Sequence, residues 1–290
     1  MSKKSKTILG GVAAALALVL LLVLPYVVPS PGRGTAFADA PYSVHVIDVG
    51  QGDAMLLLCE AGAVLIDTGT NDSEAALRAY LDSCGVERIA YLIISHPHDD
   101  HMGGADMVLR EYEVETLVMS DLPPDSDVGA SFTQALAGSD ASLVVPREGE
   151  VLELGPLRMT VLAPPDGGYP DANDNSLILR CEMGATALLC TGDAGEEVER
   201  WLLDRSGSAV LDVDLLKAGH HGAASATSAA FLAATSPDFV AISCGRGNPY
   251  NHPVQRVLDA IADAGAIACR TDTEGTLVFL SDGERLWRAR

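Results

Sequence analysis

The segment HPHDDHMGG, which begins at His96, concentrates side chains that bind metal ions. It offers the imidazoles of His96, His98 and His101 together with the carboxylate of Asp100. The apolar run YLII precedes it, so a buried strand would hold the backbone while these side chains converge at the strand's carboxyl end. Imidazole and carboxylate ligands suit zinc, manganese or iron, and the segment lacks the thiolates of a structural zinc site. The spacing therefore predicts a metal centre.

The spacing H-x-H-x-D-H-x-G-G resembles the signature of the metallo-β-lactamase superfamily of metal-dependent hydrolases. The resemblance implies two divalent metal ions, zinc or manganese, bound at the edge of an αββα sandwich. It assigns His96 and His98 to the first ion, and Asp100 and His101 to the second.

Other positions match the remaining site residues of this family. Asp67 in LIDTG matches an aspartate that supports the ligand loop, and Asp193 in CTGDA matches the carboxylate that bridges the two ions. The pair His220-His221 matches the last ligand position. We predict His220 as the metal ligand and His221 as the donor of a hydrogen bond to the developing oxyanion. His252, in NPYNHP, is predicted to reach the cleft, the alternative being a loop histidine that packs a chain reversal.

Six ordered blocks extend the resemblance to the metallo-β-lactamase-like domain of the ComEC proteins of DNA uptake. They occur between Val44 and His252 and read VIDVGQGDA, ISHPHDDHMGG, NDNSLIL, CTGDA, LLKAGHHGA and NPYNHP. This resemblance implies a phosphodiesterase or nuclease that uses water activated by a metal pair. In that mechanism Asp100 would orient the water or receive its proton.

The chain departs from the superfamily pattern at the first metal. No histidine lies between His101 and His220, so the third imidazole of that site is missing. The nearest counterpart is the block NDNS, which begins at Asn173. An amide or carboxylate there, or water, would complete the site and weaken it. The alternative is that NDNS is a turn that caps the following strand.

The charge balance restricts the substrate. The 290 residues carry 40 Asp and Glu against 19 Lys and Arg, a formal net charge of −21. This acidity argues against a broad basic footprint for nucleic acid and is typical of a soluble monomer. A local strip of Lys217, Arg246 and Arg256 is the candidate guide for a phosphate backbone. Elsewhere the metal ions would supply the positive charge.

The patterning of the chain predicts a catalytic domain over residues 42–290. Many short strand-like runs alternate with few helical segments, which favours two sheets with helices on their outer faces. A helix is predicted from Glu74 to Cys84, with one buried face formed by Ala76, Leu77, Tyr80 and Leu81. Gly50, Gly52 and Asp53 are read as a tight turn, with Asp53 bracing the metal loop.

The N-terminus predicts a membrane location. MSKKSK precedes an uncharged run from Ile8 to Val28 that is long enough to span a bilayer. We assign residues 1–29 to a membrane anchor or signal segment and 30–41 to a linker. Because basic residues precede the apolar run, the hydrolase domain is expected outside the cytoplasm, attached to the membrane or secreted.

Alternative functions stay open, since one fold serves many substrates. The domain could hydrolyse another ester, such as a choline-phosphate ester, a lactone or a thioester. It could also bind a ligand or partner without catalysis. β-Lactam hydrolysis has the least support, because only the shared metal motif points to it.

Overall fold

The computed structural model describes residues 40–124 and 126–289, and within them the short apolar runs form two β-sheets. The strands of the first sheet are β1 (Tyr42–Val46), β2 (Met55–Cys59), β3 (Gly62–Ile66), β4 (Arg88–Ile94), β5 (Glu113–Met119), β6 (Ser142–Val144), β14 (Leu277–Ser281) and β15 (Leu286–Arg288). Their order is β15-β14-β1-β2-β3-β4-β5-β6. Strands β3 to β6 run parallel, whereas the others pair antiparallel.

The second sheet follows in the chain. Its strands are β7 (Val151–Leu154), β8 (Leu157–Ala163), β9 (Ile178–Met183), β10 (Thr186–Cys190), β11 (Leu215–Lys217), β12 (Phe239–Ile242) and β13 (Ile267–Arg270). Their order is β13-β12-β11-β10-β9-β8-β7. Strands β10 to β13 are parallel and β7 to β10 are antiparallel.

Helices connect the strands. They are α1 (Glu74–Ser83), α2 (Asp99–Met102), α3 (Ala105–Glu111), α4 (Asp127–Ala137), α5 (Glu196–Arg205), α6 (Ser208–Leu211), α7 (Ala229–Thr235), α8 (Gln255–Asp263) and α9 (Thr271–Glu274). Short 3₁₀ turns cover Asn71–Ser73, Asn173–Asn175 and Gly219–Gly222.

Alternate residues of each strand enter different cores. In the first sheet, Leu57 and Val64 belong to the core between the sheets, whereas Leu56 and Leu65 pack in a second core with residues of α1 and α3. A third core lies on the other side of the second sheet, where Leu189 joins residues of α5, α7 and α8. This alternation buries both faces of each sheet. The result is the αββα sandwich that the sequence predicts.

The parallel strands position the site. Asp67 follows β3, His96 lies just beyond β4, Asp193 follows β10 and His220 follows β11. These positions lie at the carboxyl ends of strands from both sheets. Their side chains meet at one edge of the sandwich, where the strands hold the backbone and the loops carry the chemistry.

Some local predictions are wrong. Ala76 is exposed, while Leu77 and Leu81 form the buried stripe of α1. Helix α1 therefore buries a narrower face than the predicted one, because it packs on the sheet along a single i, i+4 row. Helix α2 lies within the metal motif and α3 follows it directly, and both are too short to give a periodic signal in the sequence.

The predicted anchor or signal segment at 1–29 lies outside the described residues, as does the linker at 30–41 apart from its last two residues. Within residues 40–124 and 126–289, no helix has the length and apolar character needed to cross a bilayer. Membrane attachment and an extracytoplasmic location stay predictions.

The turn after β1 approaches the metal loop closely at Gly52. Gly52 has a φ of 146°, and a Cβ on it would lie 2.5 Å from the backbone oxygen of Asp100. The next residue, Asp53, donates its backbone N–H to that same oxygen at 3.0 Å. Gly50 has a φ of 73°, but a Cβ there would meet nothing within 4 Å. The two glycines of one turn therefore differ in steric constraint.

We predict that Gly52→Ala lowers the free energy of unfolding by about 3 kcal/mol, because the added methyl group displaces the Asp100 carbonyl in addition to straining the backbone. Gly50→Ala should cost only about 1 kcal/mol, from its left-handed backbone alone. Urea denaturation of both variants measures the difference. Equal losses would contradict the proposed contact between this turn and the metal loop.

Candidate metal centre

Four ionisable side chains converge at the edge of the sandwich. Asp100, His101, Asp193 and His221 each offer one ligand atom, and these atoms all lie within 4.8 Å of one another. Nε2 of His101 lies 3.2 Å from Oδ1 of Asp193. Nε2 of His221 lies 3.5 Å from Oδ2 of Asp193 and 3.2 Å from Oδ2 of Asp100. Asp193 thus stands between two imidazoles, and the partly exposed Asp100 faces the cleft.

The backbone after β11 is bent to present a histidine to this cluster. His220 and His221 have φ values of 47° and 54°, so two consecutive non-glycine residues adopt the left-handed conformation. For a residue that has a Cβ atom, each left-handed backbone conformation costs about 1 kcal/mol or more. Such strain is retained at functional sites, and here both imidazoles approach Oδ2 of Asp193, His220 at 3.6 Å and His221 at 3.5 Å.

Asp67 and Ser95 orient His101. Oδ2 of Asp67 lies 2.8 Å from Nδ1 of His101, so the imidazole donates Nδ1–H to the carboxylate. Asp67 also accepts hydrogen bonds from the backbone N–H of Ser95 at 2.7 Å and from its hydroxyl at 2.7 Å. This network leaves Nε2 of His101, with its lone pair, facing Asp193. These contacts are those of a supporting aspartate.

A second carboxylate stands behind His221. Nδ1 of His221 lies 3.0 Å from the backbone oxygen of Ser243 and 3.3 Å from Oδ1 of Asp53. Donation from Nδ1 to this pair of acceptors directs Nε2 to Asp100 and Asp193. Both buried imidazoles of the cluster are therefore oriented by acceptors at their far nitrogen, as in metal-ligating histidines.

His96 and His98 form an adjoining pair. Nε2 of His96 lies 3.0 Å from Nδ1 of His98, and the His96 and His101 rings are 4.1 Å apart between centroids. Nδ1 of His96 faces the hydroxyls of Ser95 at 3.1 Å and Ser176 at 3.3 Å. If Nδ1–H of His96 donates to one of these hydroxyls, Nε2 of His96 keeps its lone pair. This lone pair and that on Nδ1 of His98 can then bind one cation. The ligand atoms of this pair lie outside the four-residue cluster.

Electrostatics ties the cluster together. Burial by itself raises the pKa of Asp193, but His221 and His101 outweigh it and hold that pKa well below its usual range. Burial lowers the pKa of His101, yet Asp193 and Asp67 raise it well above its usual range. A similar balance raises the pKa of His221 to about 10. Protons thus neutralise the carboxylates of the metal-free cluster. Metal binding would release them, so it weakens as the pH falls.

The residues present fit a divalent metal ion. Nε2 of His101 and Oδ1 of Asp193 are buried and have no hydrogen-bond partner. A buried polar atom without a partner costs about 1–3 kcal/mol, which a shared ligand would offset. Nitrogen and carboxylate oxygen donors are those that transition-metal ions take in hydrolases.

Asp53, Asp67 and His101 also lie within ligand distance of one another. However, Nζ of Lys217 lies 2.6 Å from Oδ2 of Asp53 and already supplies a cation there. We therefore interpret this second group as a supporting layer and not as a metal site.

The structure favours an exchange of the roles predicted for the histidine pair. His221 belongs to the four-residue cluster and its side chain is 2% exposed. The His220 side chain is 30% exposed, with Nε2 at 3.6 Å from Oδ2 of Asp193. His220 therefore lies on the more exposed side of the Asp193 carboxylate, where it can meet a substrate.

His252 lies beside His220, with 5.9 Å between their ring centroids. The side chain of Asn248 organises this loop. It donates to the backbone oxygens of Gly245 and His252 and accepts from the backbone N–H groups of Tyr250 and His252. Nδ1 of His252 is buried without a partner. The structure thus brings His252 to the cleft, outside the four-residue cluster.

The block NDNS makes the contacts of a turn. The Asn175 amide bonds to the backbone of Tyr169 and Asp171, and the Asp174 carboxylate accepts the backbone N–H of Gly195 at 2.9 Å. Ser176 accepts the backbone N–H of Asp193 at 3.0 Å and thereby positions the bridging residue. These contacts are those of a turn. However, Oδ1 of Asn173 is buried without a hydrogen-bond partner, and Asn173 lines a cavity with Asp193, so metal ligation by this block stays a prediction. The roles of Ser176 and Ser243 carried no signal in the sequence.

Lys217 was wrongly placed in a surface strip. Its side chain is 1% exposed, because β11 lies inside the second sheet with both faces covered. Arg246 and Arg256 are exposed, although Arg256 already lies 3.3 Å from Glu196.

His45 is buried, and it contacts the hydroxyls of Tyr80 and Ser43.

The structure contains no disulfide bond among the six cysteines, all of which lie in the described residues: Cys59, Cys84, Cys181, Cys190, Cys244 and Cys269.

Replacing each histidine of the pair tests the assignment. We expect His221→Ala to weaken metal binding by about 10- to 100-fold, because it removes a buried nitrogen ligand. His220→Ala should retain most of the metal while lowering activity. Metal content after dialysis against a weak chelator measures both. Greater metal loss in His220→Ala would restore the assignment predicted from the sequence.

Residues 47–246 match the family model described as the metallo-β-lactamase superfamily. Among curated proteins, the chain is 30% identical over 254 residues to ComE operon protein 3 of Bacillus subtilis, covering 81% of this chain and 32% of that protein. It is 29% identical over 248 residues to competence protein ComA of Neisseria gonorrhoeae, covering 85% of this chain and 33% of the relative. The resemblance to competence proteins is thereby confirmed. The chain spans about a third of the length of these relatives.

Solved structures share the fold. The metallo-β-lactamase fold protein YhfI from Bacillus subtilis aligns with a TM-score of 0.55 at 11% identity, covering 86% of this chain and all of that one (100%). CmlA, a diiron β-hydroxylase from Streptomyces venezuelae, aligns with a TM-score of 0.57 at 15% identity, over 86% of this chain and 54% of that one. With the motif, the sandwich and the matched residues in agreement, the chain belongs to the metallo-β-lactamase superfamily.

Proposed function

We propose that this protein is a metal-dependent hydrolase that cleaves phosphodiesters, with DNA as the first candidate substrate and zinc or manganese as its metals. The observation that carries the proposal is the position of Asp193 between His101 and His221. The charge of Asp193 also interacts with His96 of the adjoining pair, so this carboxylate can be shared by two ions. Relatives named as competence and recombination proteins support DNA as the substrate.

In this proposal, some residues of the site bind the metal ions and others contact the substrate. Ions held by the His96 pair and by the four-residue cluster would lower the pKa of a water molecule and polarise the ester. Asp100 is partly exposed and bonded to His221, so it can orient that water and accept its proton. His220, on the cleft side of Asp193, can donate a hydrogen bond to a substrate oxygen as negative charge develops.

An exposed aromatic ring compensates for the scarcity of basic residues. The Tyr250 side chain is 61% exposed and stacks on His252, with 5.6 Å between ring centroids and an interplanar angle of 26°. Stacking of a nucleobase on an aromatic ring needs no positive charge and contributes about 1–3 kcal/mol per base. Tyr250 therefore supports a nucleic acid substrate with unpaired bases.

A second candidate substrate is an ester of choline-phosphate. Asp171, Asp174, Glu196 and Glu197 line a cavity of about 370 Å³ that Asp193 and His220 also line. An anionic wall repels a polyanion and attracts a cation, so it favours a phosphodiester that carries a positive headgroup. Lactones, thioesters and binding without catalysis have no such specific support.

We expect Asp193→Ala to lower turnover by about 10³-fold or more, because it removes the carboxylate shared by the metal ligands. His252→Ala should impair substrate handling with the metals still bound, since His252 lies outside the four-residue cluster. The measurement is hydrolysis of bis(p-nitrophenyl) phosphate and single-stranded DNA, alongside metal content, for both variants.

The outcomes separate the candidate functions. Wild-type turnover in Asp193→Ala would exclude the bridged mechanism. Hydrolysis of a choline-phosphate ester but not of DNA would favour the second candidate. A wild-type protein that binds metal but cleaves neither phosphodiesters nor simple esters would point to a binding domain.

For Tyr250 we predict a change confined to substrates with a base. Tyr250→Ala should raise KM for p-nitrophenyl thymidine phosphate by about 10-fold, with kcat unchanged, because one stacking contact is lost. Tyr250→Phe keeps the ring and should behave as wild type. Methyl p-nitrophenyl phosphate serves as the control substrate without a base. An equal rise in KM for both substrates would refute the stacking role.

A further inference from the structure

Lys217 is a fully buried ammonium behind the metal centre. It ends β11, and its side chain is 1% exposed. Nζ lies 2.6 Å from Oδ2 of Asp53 and donates to the backbone oxygen of Ala218 at 2.8 Å. A buried lysine without a carboxylate partner would be strongly destabilising. The ion pair with Asp53 therefore allows the Lys217 ammonium to be buried.

Asp53 links this ammonium to the imidazoles of the centre. Its Oδ1 lies 3.3 Å from Nδ1 of His221, and its Oδ2 lies 3.9 Å from Nδ1 of His101. Its backbone is bound on both sides, through its N–H to the oxygen of Asp100 at 3.0 Å and through its oxygen to the N–H of Gly69 at 2.7 Å. Displacement of Asp53 would therefore also displace His221 and the loop that carries Asp100.

The charges around the centre are unbalanced without Lys217. Asp53, Asp67 and Asp193 are buried carboxylates, and Asp100 is partly buried beside them. Nζ of Lys217, at 2.6 Å from Oδ2 of Asp53, makes the shortest charge contact of this set, compared with 2.8 Å between His101 and Asp67 and 3.2 Å between His101 and Asp193.

We propose that Lys217 acts as an internal cation of the metal centre. Its ammonium, paired with Asp53, stabilises the carboxylate cluster when no metal is bound. Metal ions, once bound, supply the same kind of charge to the cluster. The contribution of Lys217 to stability is consequently larger in the metal-free protein than in the metal-loaded protein.

Thermal unfolding of the whole chain, metal-free and loaded with Mn²⁺ or Zn²⁺, tests this inference. Lys217→Met keeps the length of the side chain and removes its charge. We expect the metal-free Tm to fall by about 10 °C, since breaking a buried pair leaves an uncompensated charge in a domain of this size. The metal-loaded Tm should fall by less than half as much, because the ions replace the missing charge.

The double variant Asp53→Asn/Lys217→Met removes both charges and is the matched control. It should recover at least half of the loss in metal-free Tm, because no unpaired charge remains. If Lys217→Met does not fold, a folded double variant still supports the inference, and a double variant that also fails overturns it. Equal losses of Tm with and without metal would show that the ion pair stabilises the fold independently of the metal, and this would overturn the inference. No loss in either form would overturn the role of Lys217 as a cation.

Discussion

Burial of several carboxylates at one edge of the sandwich is possible because imidazoles and one ammonium neutralise them there. Asp193 lies against His101 and His221, while Asp53 lies against Lys217. Each of these charged groups would be strongly destabilising if it were buried alone. Removal of any one therefore leaves its partner buried without a compensating charge and lowers the stability of the fold. A divalent cation would take the place of the imidazole protons among the same imidazole and carboxylate atoms. Stability and metal binding therefore depend on one network.

The network is arranged in layers. The ligand atoms face the cleft, and Asp67, Ser95 and Ser243 hold the far nitrogens of the imidazoles. Lys217 and Asp53 stand behind them. The apolar cores on both sides of each sheet prevent the strands from shifting, which matters because an error of about 1 Å at a ligand weakens a catalytic site considerably. The strained backbone of the histidine pair is held by the same packing.

The substrate side of the centre is less constrained. His220, His252 and Tyr250 form a series of rings from Asp193 to the protein surface. Carboxylates line the cavity on the other side of His220. A phosphodiester would thus meet hydrogen-bond donors and an aromatic surface on one side and negative charge on the other. This asymmetry limits the substrates that can enter with their reactive phosphate at the metals.

The sequence by itself determined the metal motif and the sandwich class, because these depend on short-range spacing and alternation. The supporting role expected of Asp67 came from the family resemblance, and its hydrogen bonds with His101 and Ser95 are consistent with it. Only the tertiary structure shows that His221 belongs to the four-residue cluster, through contacts with Ser243, Asp53 and Asp100. It also shows that Lys217 is buried, because the first sheet covers one face of β11 and helices α5, α7 and α8 cover the other. In each case the deciding contacts join residues far apart in the chain, and local residue patterns carry no record of them.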